Sequence, residues 1–248
     1  MNAIAELTVT GMREGGGCEL PHFESVLNSA LEEYEAPFAR SWYAELYREK
    51  ARDPEWLATS LILNAEKEGE GARRLWEMAA DTADPDTADQ VRRHAIDEAR
   101  HAKIYLGMLD TVFAGCADDE LREHLDSISP GYTLKDSPAR SDILADPAYT
   151  LDGLIQMNMG EIRTRINQLM LEPVLLAHTT PRDEPKVRRM LSSIINDETK
   201  HIYYTAALIE QAARAGQQKL VRDITFWRME QFCRMTRDEV GAGVFEGS

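Results

Sequence analysis

The sequence predicts an all-α protein, and three observations carry that expectation. Ala, Leu, Glu and Arg are plentiful, and long runs contain neither Gly nor Pro, so little in them opposes a helix. Apolar residues recur at three- and four-residue spacing rather than alternating. The acid-proline pairs Asp53-Pro54 and Asp146-Pro147 are helix starts, with the acid as N-cap and the proline at the first helical position.

Residues 1–22 contain Gly-Gly-Gly at 15–17 and little periodicity, so a loose N-terminal arm is expected there. From about Phe23 to Lys50 the spacing of Val26, Leu27, Leu31, Tyr34, Phe38, Trp42 and Leu46 predicts an amphipathic helix, with a break near Pro37. A helix starting at Asp53-Pro54-Glu55 should run to about Ala80, turn at Ala83-Asp84-Pro85-Asp86, and be followed by another from about Thr87 to Ala114. Residues 115–147 are rich in Gly, Ser, Pro and Asp and read as a long connection in which only ADDELREHLDSI looks helical. A helix from Asp146-Pro147 to about Leu176, a turn over 179–185 and a helix to about Ala215 follow. Gly216 reads as a helix stop, 219–240 as a last amphipathic helix, and the Gly-rich end as frayed. Residues 23–248 are thus expected to form one helical domain.

Composition narrows the function. The formal net charge of −15 would repel phosphates, so nucleic acid is not the expected partner. No stretch approaches the roughly 18–20 apolar residues of a membrane span, and the N-terminus lacks the basic-then-apolar pattern of a secretory signal. Cys18, Cys116 and Cys233 are scattered and odd in number, which suits a reducing cytoplasm; Cys116 and Cys233 are expected to be buried small side chains.

One phrase occurs twice. Residues 97–101 read Asp97-Glu98-Ala99-Arg100-His101, and residues 197–201 read Asp197-Glu198-Thr199-Lys200-His201. Positions i and i+3 share a helix face, so each phrase aims a carboxylate and an imidazole in one direction. Two such helices, with one Glu from each of two more, can hold a pair of metal ions in a four-helix bundle.

The two further carboxylates can be sought by counting. In an antiparallel helix pair, residues equally far from the turn stand at the same height. With the first turn near residue 84, the partner of Glu98 falls near Glu70; with the second near 180, the partner of Glu198 falls near Glu161. Glu66 and Glu68 compete with Glu70. Similarity between Gly69-Glu70-Gly71-Ala72-Arg73-Arg74-Leu75 and Gly160-Glu161-Ile162-Arg163-Thr164-Arg165-Ile166 favours Glu70, and Glu68 is read as pointing away.

With these six residues in hand, the sequence resembles the ferritin-like di-iron carboxylate superfamily over roughly residues 54–215. The resemblance implies a ferritin-like four-helix bundle with one long crossover and additional flanking helices. It implies two irons held by Glu70, Glu98, His101, Glu161, Glu198 and His201, with Glu98 and Glu198 bridging. Asp97 and Asp197 are similar to family residues that orient a ligand histidine; Asp97 is expected at His201 and Asp197 at His101.

Each sharp reading has a plain rival. Singly, the four residues of the repeated phrase would be a solvated helix face; together with carboxylates at matched heights they favour metal. His94, one turn before Glu98, could be a seventh ligand, but a surface or supporting role is preferred because its counterpart is Ile194. Tyr105 stands where ribonucleotide reductase small subunits place a radical tyrosine, yet a core tyrosine with a satisfied hydroxyl is preferred. Tyr203 and Tyr204 read as packing, and Leu61, Ile62, Leu75, Trp76 and Met78 as core or cavity wall. His22, His124 and His178 near helix ends need no function.

Within the superfamily, soluble di-iron oxygenases such as the aldehyde-deformylating oxygenases resemble the chain most, through Glu68-Gly69-Glu70 and the additional helices. The longer spacing from Glu161 to Glu198 keeps the aldehyde substrate from being carried over. What the resemblance implies is an O2-dependent oxidoreductase acting on a small organic substrate by hydroxylation, N-oxygenation or C–C cleavage. An electron donor such as a ferredoxin would supply further turnovers. Mn/Fe in place of two Fe stays open, as does a homodimer. The alternatives are a ferritin-like iron-oxidising or peroxide-scavenging protein, and a metal-free helical subunit of a larger oxygenase.

Overall fold

A computed structural model describes residues 1–116, 119–128, 130–136 and 150–240. Among them every regular element is helical: α1 (Ala3–Glu14), α2 (Pro21–Tyr34), a short 3-10 turn (Pro37–Ala39), α3 (Ser41–Lys50), α4 (Pro54–Asp81), α5 (Pro85–Val112), α6 (Asp119–Ile128), α7 (Leu151–His178), α8 (Glu184–Ala212) and α9 (Gln218–Val240). No helix of the described residues is long and apolar enough to cross a membrane.

The helix starts follow the sequence signals. Asp53 caps α4 by accepting from the Glu55 N–H, and Asp84 caps α5 by accepting from the Thr87 N–H, with proline next in each case. The expected break at Pro37 separates α2 from α3, where Glu35 takes a left-handed φ of 47°. Gly216 divides α8 from α9 with a φ of 95°, a conformation glycine adopts without strain. The expected start at Asp146-Pro147 and the frayed end beyond residue 240 lie outside the described residues.

The N-terminus corrects an expectation. Residues 3–14 are a helix, not a loose arm, because Ile4, Ala5, Val9 and Met12 lie on one face and are buried. Asn2 caps it, and the Cys18 N–H donates to the Tyr203 hydroxyl at 3.2 Å, so Tyr203 holds the segment after α1. The glycine run misled because it follows this helix and does not interrupt it.

The chain divides into two compact units. One comprises Met1–Leu46, Thr150–Asn167 and Glu198–Ser248; the other comprises Tyr47–Tyr149 and Gln168–Asp197. The sequence suggested one domain over 23–248. Three of the boundaries fall inside continuous helices, at 46/47 in α3, 167/168 in α7 and 197/198 in α8, so no linker composition marks them; the fourth, at 149/150, lies just before α7.

In the second unit, α4 and α5 form an antiparallel hairpin across the Thr82–Asp84 turn. Leu57, Leu61, Tyr105, Leu109, Leu171 and Leu191 belong to one buried cluster. The connection after α5 lies along the hairpin: the Tyr132 ring stacks on Trp76 at 4.1 Å, and Arg92 donates to the Leu134 and Asp136 carbonyls.

In the first unit, the start of α2 lacks a side-chain cap of its own. Glu210 of α8 supplies one, accepting from the His22 and Phe23 N–H groups at 2.9 and 3.0 Å and from Arg214 at 2.8 Å. Burial pushes the Glu210 carboxyl upward, but these hydrogen bonds outweigh it and hold its pKa below the ordinary value. Arg228 grips the Asp152 carboxylate with both nitrogens of its fork, fastening α9 to the start of α7.

Candidate metal centre

In the second unit, α5 aims His94, Glu98 and His101 along one buried face at i, i+4 and i+7. The buried stripe of α4 runs Leu61, Ala65, Glu68, Ala72, Leu75, so the carboxylate that α4 turns inward is Glu68. The ligand atoms of Glu68, Glu98 and His101 all lie within 4.8 Å of one another. His101 Nδ1 stands 3.7 Å from Glu98 Oε1 and 3.9 Å from Glu68 Oε2.

This replaces Glu70 in the expected ligand set. The Glu70 side chain is 61% exposed and ion-paired with Arg74 on the next turn. Glu68 is 8% exposed and, like Glu98, equally far from Ala83 at the centre of the turn. Counting from a turn centred one residue late, and trusting a short local similarity over helical phase, moved the choice to Glu70. The apolar spacing around Glu68 held the better signal.

In the first unit, Glu198 and His201 of α8 meet Glu161 of α7. His201 Nδ1 stands 3.6 Å from Glu161 Oε2 and 4.0 Å from Glu198 Oε2. Glu198 is fully buried and His201 nearly so. The two units therefore carry the same arrangement: an imidazole Nδ1 faced by the glutamate one turn earlier and by a glutamate from the preceding long helix.

These N···O separations exceed a hydrogen bond between the pairs. One ion with bonds of about 2.0–2.1 Å can touch both donors in each pair, because two such bonds span up to about 4 Å. Carboxylate and imidazole together suit iron or manganese. Buried carboxylates are costly without a compensating charge, and a divalent cation supplies it. The residues present fit a metal.

The surroundings of His101 are also assembled. Asp197 Oδ2 stands 3.5 Å from His101 Nε2, as expected for a carboxylate that orients the ring. Arg100 donates to Asp197, to Asp97 at 2.9 Å and to Ser193 Oγ at 2.9 Å. Burial lowers the Arg100 pKa, but hydrogen bonds to the two aspartates outweigh it, so the guanidinium stays charged.

His94 is 1% exposed, so it does not take the surface role considered for it; its Nε2 lies 3.1 Å from Glu98 Oε1, where it supports that carboxylate. Tyr105 is a core residue whose hydroxyl accepts a hydrogen bond from the Gln168 amide. Asn158, also buried, donates to the Ile202 carbonyl at 3.0 Å and to Thr205 Oγ1 at 2.8 Å, joining α7 to α8 one turn before Glu161.

The histidines near helix ends take structural partners: His178 meets the Ala51 carbonyl and His124 meets Glu66. Cys233 is buried, and burial pushes its thiol up to about 11. Cys116 is exposed, contrary to expectation, because it follows the end of α5.

No family model, no curated protein and no solved structure matches this chain. The functional reading therefore rests on the residues themselves.

Proposed function

We propose that the chain is a ferritin-like di-iron oxidoreductase in which the two ligand sets close into one dinuclear centre. That centre would use O2 to oxidise a small organic substrate. The observation that carries this reading is the repetition of one buried arrangement, imidazole Nδ1 facing two glutamates, around His101 and around His201. A solvated helix face would not bury Glu98, His101, Glu198 and His201 together.

In this reading Glu98 and Glu198 would be the carboxylates shared by two metal ions, Glu68 would hold metal with His101, and Glu161 would hold metal with His201. Ferrous iron, when bound, would supply the electrons that reduce O2, and an external donor such as a ferredoxin would restore them. The chain's own residues hold and orient. Asp197 Oδ2 faces His101 Nε2 at 3.5 Å, on the side of the ring away from Nδ1, so Nδ1 would be the nitrogen turned to the metal. Arg100 donates to Asp197 and fixes it in place. The four glutamates balance the charge of two divalent ions. A manganese–iron pair fits the same donors, since carboxylate and imidazole discriminate weakly between neighbouring metals.

The test is O2 uptake by protein loaded with ferrous iron under anaerobic conditions. Uptake should scale with bound iron and be lost in the Glu98→Ala/His201→Ala variant. Iron bound without O2 uptake would contradict the oxidoreductase reading.

A further inference from the structure

In the first unit, Phe23 and Leu27 of α2, Ile155 and Met159 of α7, Ile209 of α8 and Val221 of α9 line a cavity. It leaves about 10 Å³ for the centre of a water-sized molecule, room for one small guest. Its polar lining is confined to Asn158 and Thr225. The Asn158 amide nitrogen is already committed to the Ile202 carbonyl and Thr205, so the wall offers a water few of the two to four partners it needs. Cavities walled by Leu, Ile and Phe stay dry and take xenon or small apolar molecules.

The position gives the cavity a use. Asn158 lies in its wall and one helical turn before Glu161. A second gap shares Leu27 and Met159 with the first and is also lined by Ile162, the residue after Glu161. Its wall adds Met229, and the methionines of this seam can yield without a polar group being exposed. The second gap leaves no space for a water-sized molecule as it stands, so passage along this apolar wall past Glu161 requires Met159 or Met229 to move.

We propose that this cavity is a binding site for a small apolar gas, dioxygen, held one helical turn from Glu161. Its use as a store of co-substrate rests on the di-iron reading above; its ability to bind gas does not.

The test is xenon titration of the full chain followed by xenon-129 NMR. Wild type should show a saturable shift. Val26→Phe, which brings a ring from the half-buried edge of the same cavity, should lose it. Thr225→Val removes a hydroxyl at nearly constant volume and should keep it. Val26→Phe protein with unchanged helical content and iron should be oxidised by O2 about threefold more slowly or worse, because access would then require side-chain movement.

Absence of a saturable shift in wild type would overturn the proposal, and loss of xenon in Val26→Phe with unchanged dependence of oxidation on O2 would overturn the cavity's use as a store. If Val26→Phe does not fold, retention of xenon by Thr225→Val supports the apolar site and its loss overturns it. Failure of the chain to take up iron would overturn the metal reading alone, and xenon binding would still decide the cavity.

Discussion

Asp197 places Oδ2 3.5 Å from the Nε2 of His101 while Arg100 donates to that same oxygen. The imidazole is thereby turned so that Nδ1 faces Glu68 and Glu98. Asp197→Asn should keep the helix but weaken iron binding by about 10–100-fold, the usual effect of losing a carboxylate behind a ligand histidine. Equilibrium competition with a chelator checks this. Unchanged iron affinity would mean that Asp197 serves only its ion pair with Arg100.

The choice between Glu68 and Glu70 is a direct contrast between two residues of one helix. Glu68→Gln should lower the iron content, and Glu70→Gln should leave it intact. The Glu70–Arg74 pair is exposed and spans i, i+4, so its loss costs about 0.3–0.5 kcal/mol at most. Iron analysis of the two variants decides the matter, and loss on changing Glu70 would restore the count made from the sequence.

That contrast shows what the sequence does and does not disclose. The long helices were legible because Asp-Pro starts and apolar spacing agree, and the repeated Glu-x-x-His needed only the helical period. The inward carboxylate of α4 was misread because Glu66, Glu68 and Glu70 offer an acid at every second position. A short local match then outweighed the phase set by Leu61, Ala65, Ala72 and Leu75. The helix α1 was missed because three glycines end it. The burial of His94 could not be judged from a missing counterpart in the second half; it follows from sharing a face with Glu98. The two units left little mark, since three of their four boundaries fall inside helices α3, α7 and α8.

Glu210 caps α2 from another helix, so its loss should be felt away from the metal. Glu210→Gln should cost about 1–2 kcal/mol, as cap removal does, with iron content preserved. The folded-state pKa of Glu210 lies below its ordinary value of 4.5, so its stabilisation is full above that pH. It is lost as pH falls through the folded value. Denaturant melts of both proteins should differ most at neutral pH and converge on acidification. A difference that grows on acidification would refute the capping role.

Tyr105 and Gln168 form a hydrogen bond inside the core of the second unit. Tyr105→Phe should destabilise by about 1–3 kcal/mol, because the buried Gln168 amide loses its acceptor. The rate of O2 consumption should not change. A large loss of O2 consumption at unchanged stability would instead give the tyrosine a part in the redox chemistry.

The most direct test of the central claim is the iron content of the full chain after anaerobic loading and removal of free metal, compared with the Glu98→Ala/His201→Ala variant. Two joined ligand sets require about two iron ions per chain in wild type and almost none in the variant. Wild-type protein that retains no metal would contradict the account.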